Sequence, residues 1–111
     1  MILLLAAMAA APDGAALIRK CTACHALEAG DNSAAAPTLY HAVGRPVAGE
    51  ADYNYSPALR RFAGANPRWT PELLDRFMAA PEKLVPGTEM DFSGIADAAS
   101  RKALIDWLKG R

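Results

Sequence analysis

The sequence has few aromatic residues, no net charge and few long apolar segments. Its 111 residues include three Phe, three Tyr and two Trp, and twelve basic side chains are balanced by twelve acidic ones. So few large apolar side chains build only a modest core, because a small domain buries a limited share of its surface. Zero formal charge argues against nucleic acid as the main partner, since binding it requires a basic face. The length is that of one domain.

An apolar, alanine-rich segment occupies residues 2–11. It is too short to cross a bilayer as a helix, which takes about 20 apolar residues. It also lacks the basic start of a secretory signal and is shorter than the usual length of roughly 15–30 residues. We interpret residues 1–11 as a truncated or unusually short export signal, which predicts a periplasmic protein, and residues 12–111 as the domain. A retained helical extension that packs on the surface is the alternative.

Only two cysteines occur, and they lie in the pattern Cys21-Thr22-Ala23-Cys24-His25. Cys-x-x-Cys-His is the sequence signal for covalent attachment of a c-type haem. In such a site each thiol adds across one vinyl group of the haem, and the histidine directs its imidazole at the iron. The motif therefore predicts one haem, attached through Cys21 and Cys24 and ligated by His25.

Three other interpretations of the cysteine pair stay open at this level. A thioredoxin-like dithiol requires a βαβ context, and the sequence has no strand pattern. A structural zinc site requires four ligands, which Cys21, Cys24, His25 and His41 could supply. A simple disulfide between the two cysteines is the third. None of the three explains the rest of the chain.

Capping residues and apolar spacing predict a helix at each end of the domain. The first covers residues 14–25 with Asp13 as its N-cap, and it carries the haem motif at its C-terminal end. The last begins after Asp97 and ends near Gly110, where a C-cap glycine is common. The buried faces are expected to contain Leu17, Ile18 and Cys21 in the first helix and Leu104, Trp107 and Leu108 in the last.

Two further helices are predicted between them. Ser56 caps a short helix over residues 56–63, which Gly64 ends. Thr70 caps a middle helix, which Pro81 ends. Its apolar face consists of Leu73, Leu74, Phe77 and Met78.

Residues 26–55 are rich in glycine and proline and show little periodicity. Loops of this length inside a compact domain usually have a function, and wrapping a flat cofactor would be one. We therefore expect an all-α protein with long loops and almost no β-sheet.

A haem held by one histidine has a second axial position, and the candidates for it are His41 and four methionines. Met1 and Met8 lie in the leader-like segment. Met78 lies on the apolar face of a predicted helix, where methionine usually fills the core. Met90 lies in a Pro-Gly loop, which can bring a thioether to the iron without loss of helix hydrogen bonds, and a thioether raises the reduction potential. Met90 is therefore favoured over His41, although one loop methionine is a weak signal.

From residue 14 to residue 109 the chain resembles the soluble class I cytochromes c, the small mitochondrial and bacterial carriers. Several spaced motifs carry the resemblance, and together they are specific. They are Cys21-Thr-Ala-Cys-His25, Ala36-Pro-Thr-Leu39, Val43-Gly-Arg45, Tyr53-Asn-Tyr-Ser56, Trp69, Pro86-Gly-Thr-Glu-Met90 and Leu104-Ile-Asp-Trp-Leu-Lys109. The resemblance implies the all-α cytochrome c fold, with three main helices, short helices and long loops around one haem.

The resemblance also implies how a single covalent haem c is held. Cys21 and Cys24 correspond to the thioether anchors, and His25 and Met90 correspond to the two axial ligands. Pro37 corresponds to the proline whose carbonyl accepts the ring N–H of the proximal histidine, which sets the tautomer and orientation of that ring.

Other positions correspond to residues that surround the haem. Arg45, Tyr55 and Trp69 correspond to residues that hydrogen-bond the haem propionates, since buried carboxylates need such partners. Thr88 corresponds to a hydroxyl in the methionine loop, and Phe92 corresponds to an aromatic near the haem edge. The first and last helices are expected to cross at Gly14, Leu17, Leu104 and Trp107.

The chain departs from the family pattern at several positions near the haem. Phe77 stands where a tyrosine is usual beside the methionine sulfur, so that hydroxyl contact should be absent. Ala36 and His41 stand at positions that are often glycine. A short insertion lies within residues 63–68.

The surface charges depart from the family pattern as well. Glu82 and Glu89 stand where related carriers commonly place lysines, whereas Lys20 and Lys83 remain basic. Charge asymmetry sets how strongly a protein steers its partner during encounter. The resemblance therefore implies weaker electrostatic steering here than in a carrier with a lysine ring.

The function implied by the resemblance is that of a soluble one-electron carrier and not of an enzyme. With both axial positions filled, no coordination site is open to a substrate. The implied partners are a quinol–cytochrome c oxidoreductase upstream and a terminal oxidase or photosynthetic reaction centre downstream, which a monomer meets through a small transient interface. Two alternatives stay open: a dedicated electron donor or acceptor of a periplasmic dehydrogenase or reductase, and a haem-based gas sensor in which Met90 dissociates.

We expect the chain without haem to be poorly folded. Its own apolar core is modest, and binding at a site that is absent from the unfolded chain contributes free energy to folding. Circular dichroism during urea titration should show a cooperative transition for the haem-loaded protein and none for protein produced without haem maturation. Native-like, cooperative unfolding of the haem-free chain would contradict this expectation.

Overall fold

The computed structural model describes residues 11–111, and the expectations for residues 1–10 lie outside that range. Within it the chain forms six helices joined by long loops. They are α1 (Gly14–Leu17), α2 (Arg19–Thr22), α3 (Pro57–Ala65), α4 (Pro71–Ala79), α5 (Pro81–Leu84) and α6 (Ala98–Leu108). Between residues 11 and 111 the β-structure is limited to an isolated antiparallel bridge between Pro46 and Arg68. The predicted all-α class is confirmed.

The first predicted helix is present, but it is shorter than expected. Asp13 caps α1 by accepting a hydrogen bond from the Ala15 amide at 3.0 Å. Regular helix is interrupted at Ile18 and ends at Thr22, so the prediction of helix as far as residue 25 was wrong. Helix-like turns nevertheless continue through the motif, because the amides of Cys24 and His25 both donate to the Cys21 carbonyl, at 3.0 and 2.9 Å.

The predicted crossing of the first and last helices is confirmed. A Cβ atom added at Gly14 would lie 2.5 Å from the Ala103 carbonyl oxygen and 2.5 Å from the Trp107 Cβ. Only glycine therefore allows α1 to approach the backbone of α6 this closely. Leu104 is fully buried at this contact, and Leu17 packs against the same core.

The N-caps of α3 and α4 are the predicted ones. The Ser56 hydroxyl accepts from the Leu59 amide at 3.1 Å, and the Thr70 hydroxyl accepts from the Leu73 amide at 3.1 Å. These bonds satisfy amides that have no partner inside the helix.

The predicted C-terminal end of α3 was wrong. Gly64 lies inside the helix, which continues to Ala65. Asn66 ends it, because a residue that precedes proline is disfavoured in the α conformation. The Asn66 side chain and amide both donate to the Phe62 carbonyl, at 3.2 and 3.0 Å.

The region after α4 contains a helix that sequence analysis missed. Helix α4 ends before Pro81 as predicted, but Pro81 then begins the short helix α5. Ala80 is extended between the two helices, with φ −161°. Proline cannot continue a helix, but it fits the first turn of a new one. Pro81 therefore accounts both for the end of α4 and for the start of α5.

Helix α6 packs on α4 and is capped as predicted. Asp97 accepts from the amide and hydroxyl of Ser100 at 3.0 and 2.6 Å, and these bonds lower the pKa of Asp97. Gly110 follows the helix with φ +75°. Ile105 is buried with Leu104 and Leu108, whereas Trp107 is only half-buried, which corrects the predicted buried face.

Arg101 of α6 forms an ion pair with Asp75 of α4 at 2.8 Å, which joins the two helices at their edge.

Among residues 11–111, no helix combines the length and the apolar composition that crossing a bilayer requires.

The helix crossing can be tested with two matched glycine substitutions. Gly14→Ala should lower the free energy of unfolding of the haem-loaded protein by about 1–3 kcal/mol, because backbone atoms must move to admit the Cβ. Gly64→Ala, in the interior of α3 with open space around it, should raise that free energy by about 0.5–1 kcal/mol. Urea titration measures both, and equal effects of the two substitutions would refute the crossing argument.

Candidate functional site

A cavity of about 460 Å³ lies between the haem-motif end of α2, the long loop and the segment after α5. Its lining is mainly apolar side chains, with a few polar groups. All nine residues that were predicted to contact a cofactor line this one cavity. They are Cys21, Cys24, His25, Pro37, Arg45, Tyr55, Trp69, Thr88 and Met90.

His25 is held in one orientation by the long loop. Its Nδ1 lies 2.6 Å from the Pro37 carbonyl oxygen, the contact that the resemblance implied. A carbonyl only accepts, so Nδ1 carries the proton and Nε2 keeps a free lone pair. Burial lowers the pKa of His25, the Pro37 carbonyl opposes that shift, and the positive charge of Arg45 adds to it. The imidazole is therefore neutral, which is the form that binds a metal.

The two cysteine side chains lie at the edge of the cavity and are not joined in a disulfide. Cys21 is half-buried and Cys24 is exposed. Burial raises the pKa of the Cys21 thiol, which the nearby Lys20 partly opposes. Both thiols border the space that a cofactor would occupy.

The zinc interpretation is wrong for this fold. Across the described part of the chain, no three His, Cys, Asp or Glu side chains are grouped closely enough to hold a metal ion. His41, the proposed fourth ligand, is exposed and stacks on Tyr40 with the ring centroids 3.9 Å apart. It is not part of the cavity lining, so it is not in position to serve as an axial ligand either.

Arg45 presents an unsatisfied donor at the cavity. Its Nη1 donates to the carbonyls of Thr38 and Tyr40, at 2.7 and 3.0 Å. Its Nε is buried and has no hydrogen-bond partner among residues 11–111. A buried donor without a partner costs about 1–3 kcal/mol, and a carboxylate bound in the cavity would remove that cost. The donor therefore fits an anionic group such as a haem propionate.

Tyr55 adds a second donor to the same part of the cavity. Its hydroxyl oxygen accepts from the Glu50 amide at 2.9 Å, which leaves the hydroxyl proton free to donate. Burial raises the pKa of Tyr55, so the side chain stays protonated. A protonated phenol beside a guanidinium suits a carboxylate acceptor.

An aromatic wall forms one side of the cavity. The rings of Trp69 and Phe77, which both line the cavity, lie 5.0 Å apart between centroids, and the Phe62 ring lies 6.1 Å from that of Trp69. The Trp69 amide donates to the Arg45 carbonyl at 2.9 Å, which ties this wall to the long loop. Flat apolar side chains of this kind suit a flat macrocycle.

Met90 lies in the loop after α5 and lines the cavity. Its amide donates to the Thr88 hydroxyl at 3.3 Å, and its carbonyl accepts from the Phe92 amide at 3.0 Å. The loop is closed at its start by a bond of 3.1 Å from the Gly87 amide to the Glu82 carboxylate. The loop thus holds Met90 at the same cavity as His25.

Known proteins of similar sequence and structure agree on one family, although no family model matches the sequence. The chain is 38% identical over 95 residues to cytochrome c2 of Agrobacterium tumefaciens, and the match covers 86% of each. It is 36% identical over 99 residues to a cytochrome c homolog of Rickettsia felis, where it covers 89% of this chain and 55% of that relative. The solved cytochrome cH of Methylobacterium extorquens superposes with a TM-score of 0.78 and 32% identity, over 88% of this chain and 95% of that one.

This chain belongs to the class I c-type cytochromes. Members of this family carry one covalently attached haem c and take part in electron transport. The fold expected from the resemblance is confirmed by the structural match. The cytochrome spans about half the length of the Rickettsia relative, so the two differ in overall length.

One departure from the family pattern has a visible consequence in this cytochrome. His41 stands where glycine is common, and its φ is +51°, in the left-handed region that glycine adopts without a steric cost. Its amide donates to the Arg111 carbonyl at 2.6 Å, which holds this turn against the end of the chain. Stacking on Tyr40 further stabilises the unusual conformation.

Sequence analysis missed several residues that build the site. Thr38 is fully buried and its hydroxyl donates to the Glu28 carbonyl, but in the sequence only its place in the motif Ala36-Pro-Thr-Leu39 pointed to it, and no role was predicted for it. Met78 was predicted to fill the core, and it is buried there, but it also lines the cavity. The remaining apolar lining was predicted as core or not at all, because periodicity shows burial and not what a buried face contacts. It includes Leu39, Leu59, Leu74, Ile95, Leu104 and Leu108.

Proposed function

We propose that this cytochrome is a one-electron carrier with a single haem c attached through Cys21 and Cys24 and ligated by His25 and Met90. The observation that carries the proposal is that all four side chains line one cavity. The unpaired Nε of Arg45 at that cavity supports a group with carboxylates. Membership of a family that carries haem c supports the identity of the group.

The bound haem supplies a ferric–ferrous couple. In the proposal the chain sets that couple through its axial ligands, hydrogen bonds and burial. The Pro37 carbonyl accepts from His25 Nδ1, which leaves Nε2 as the ring nitrogen that would ligate the iron. The Met90 thioether favours the ferrous state and so raises the reduction potential.

The chain also accommodates the charged edge of the cofactor. Arg45 offers its Nε–H and Tyr55 offers its hydroxyl proton to carboxylates, and Trp69 lines the cavity with them. Burial of a carboxylate is unfavourable unless it is hydrogen-bonded. We propose that these three residues hold the propionates.

If His25 and Met90 both ligate the iron, no coordination site would be open to a substrate, so the proposed role is transport and not catalysis. We propose a periplasmic monomer that shuttles between a quinol–cytochrome c oxidoreductase and a terminal oxidase or photosynthetic reaction centre. A small, transient interface at the cavity opening suits a carrier that must dissociate after each transfer.

The ligation can be tested with matched methionine substitutions. Met90→Ala should abolish the weak near-infrared band that reports sulfur–iron ligation, lower the reduction potential and allow carbon monoxide to bind. Met78→Leu conserves volume in the core and should keep the band, because Met78 is not the proposed ligand. A redox-titrated spectrum measures all of these, and a Met90→Ala protein that matches the wild type would refute the ligand assignment. Wild-type protein that itself binds carbon monoxide readily would favour the gas-sensor alternative.

Electrostatic steering provides a separate test of the proposed docking at the cavity. Lys20, Glu89 and Asp91 line its opening, so charges of both signs meet the partner there. Transfer from a purified quinol–cytochrome c oxidoreductase should slow by less than about tenfold between low and physiological salt, since strong steering requires charge of one sign.

The control for the steering test is a charge reversal. The variant Glu89→Lys should show a steeper salt dependence with the same partner, because it leaves an excess of positive charge among the residues that line the opening. A steep fall in rate for the wild type, or no change in slope for the variant, would contradict the steering argument.

A further inference from the structure

We propose that Asn32 and Thr38 are positioning residues that hold the Pro37 peptide group against His25 and thereby tune the reduction potential. The inference rests on the proposed function, because it concerns the proximal ligand of the same site. Neither side chain lines the cavity. Both act through the one peptide group that contacts His25.

Asn32 and His25 both contact the peptide group that joins Pro37 to Thr38. The carbonyl of Pro37 and the N–H of Thr38 belong to the same planar unit. The carbonyl accepts from His25 Nδ1 at 2.6 Å, and the N–H donates to the Asn32 side-chain oxygen at 3.0 Å. Asn32, this peptide and His25 therefore form one continuous chain of hydrogen bonds.

Hydrogen bonds in such a chain polarise one another. Donation from the Thr38 N–H to Asn32 increases the negative charge on the Pro37 oxygen. That oxygen then accepts more strongly from His25, and a stronger bond at Nδ1 raises the basicity of the imidazole. A more basic imidazole stabilises ferric iron, so the bond to Asn32 should lower the reduction potential.

The Thr38 side chain anchors this peptide group. Thr38 is 0% exposed. Its hydroxyl donates to the Glu28 carbonyl at 2.6 Å, lies 3.3 Å from the Ala26 carbonyl and accepts from the Tyr40 amide at 3.2 Å. The hydroxyl therefore ties the peptide to the segment that directly follows His25.

Thr38 also contacts Arg45, at the polar end of the cavity. The Thr38 carbonyl accepts from Arg45 Nη1 at 2.7 Å. Movement of Thr38 would therefore displace both the contact to His25 and the guanidinium whose Nε is unpaired. One buried threonine thus connects the proximal ligand with the residue proposed to hold a propionate.

The loop before Thr38 is shaped to present Asn32. The Asp31 amide donates to the Glu28 carbonyl at 3.2 Å, and the Asp31 carboxylate accepts from the amide and hydroxyl of Ser33 at 3.2 and 2.5 Å. The Asn32 amide donates to the Gly30 carbonyl at 3.1 Å. These turns surround Asn32 on both sides and leave its side chain bonded to Thr38.

The test compares substitutions in the haem-loaded protein. Asn32→Ala removes the acceptor and should raise the reduction potential. It should also make solvent exchange of the His25 Nδ1 proton, followed by NMR in the ferrous state, about two- to tenfold faster. Asn32→Asp keeps an acceptor oxygen at the same place and should retain slow exchange with a potential no higher than that of the wild type.

Thr38 is tested by a pair of variants of similar shape. Thr38→Val removes the hydroxyl and should speed exchange of the His25 Nδ1 proton, whereas Thr38→Ser keeps the hydroxyl and should leave it slow. Asn66→Ala is the matched control, because it removes an asparagine bond at the end of α3. It should lower stability without a change in potential or in exchange at His25.

One measurement needs no variant. In the wild type the Thr38 amide proton should be strongly protected from solvent exchange, because it is bonded to Asn32. A rapidly exchanging Thr38 amide, or an unchanged potential and unchanged Nδ1 exchange in Asn32→Ala, would overturn the proposal. Those results would leave the carrier function intact, provided that the wild type shows a haem with sulfur ligation. Absence of haem in matured wild type would refute the proposed function instead.

Discussion

The bond between His25 Nδ1 and the Pro37 carbonyl joins the two parts of the chain that form one wall of the cavity. On one side lies the haem motif at the end of α2, and on the other lies the long loop. Backbone bonds from the amides of Ala36 and Leu39 to the carbonyls of Cys24 and Ala26, at 3.0 and 2.9 Å, strengthen the same junction. Without this junction the imidazole would have no defined orientation, and the loop would lose its attachment to the helical start of the chain.

The opposite wall depends on helix packing. Helix α6 lies between α1 and α4, and the close approach at Gly14 sets its position. The loop that carries Met90 is closed at its far end by Gly94, whose φ is +105° and where a Cβ would collide with the Ala79 carbonyl. The Ile95 amide then donates to the Met78 carbonyl at 2.8 Å. The loop is thus held to α4 at the point where it leaves the cavity.

The departures from the family pattern have local roles in this fold. Glu82 stands where lysine is common, and its carboxylate accepts from the Gly87 amide at the start of the methionine loop. Phe77 stands where tyrosine is common, and its ring packs on Trp69 in the aromatic wall. Glu82 thus stabilises the methionine loop, and Phe77 stabilises the aromatic wall of the cavity. The same substitutions change the charge and the hydrogen-bonding groups that the cavity presents.

Features that depend on local chemistry could be predicted from the order of residues alone. The caps at Asp13, Ser56, Thr70 and Asp97 could be predicted because a side-chain oxygen beside the first turn is a short-range signal. The haem motif could be predicted because its two anchors and its ligand lie within five consecutive residues, and family resemblance supplied the second ligand and the residues with hydrogen-bonding roles, but not most of the apolar lining. Helix ends were predicted less well, since Gly64 and Pro81 each permit more than one local structure.

Contacts between groups that are distant in the chain follow instead from how the whole fold packs. It separates His41 from the cavity and brings Met90 to it, although both lie in loops and neither position is periodic. It leaves Arg45 Nε buried and unpaired, and it makes Thr38 the link between Asn32, Pro37 and Arg45. Hydrogen bonds between residues far apart in the chain carry no sequence periodicity, because their partners are chosen by the packing of the whole fold.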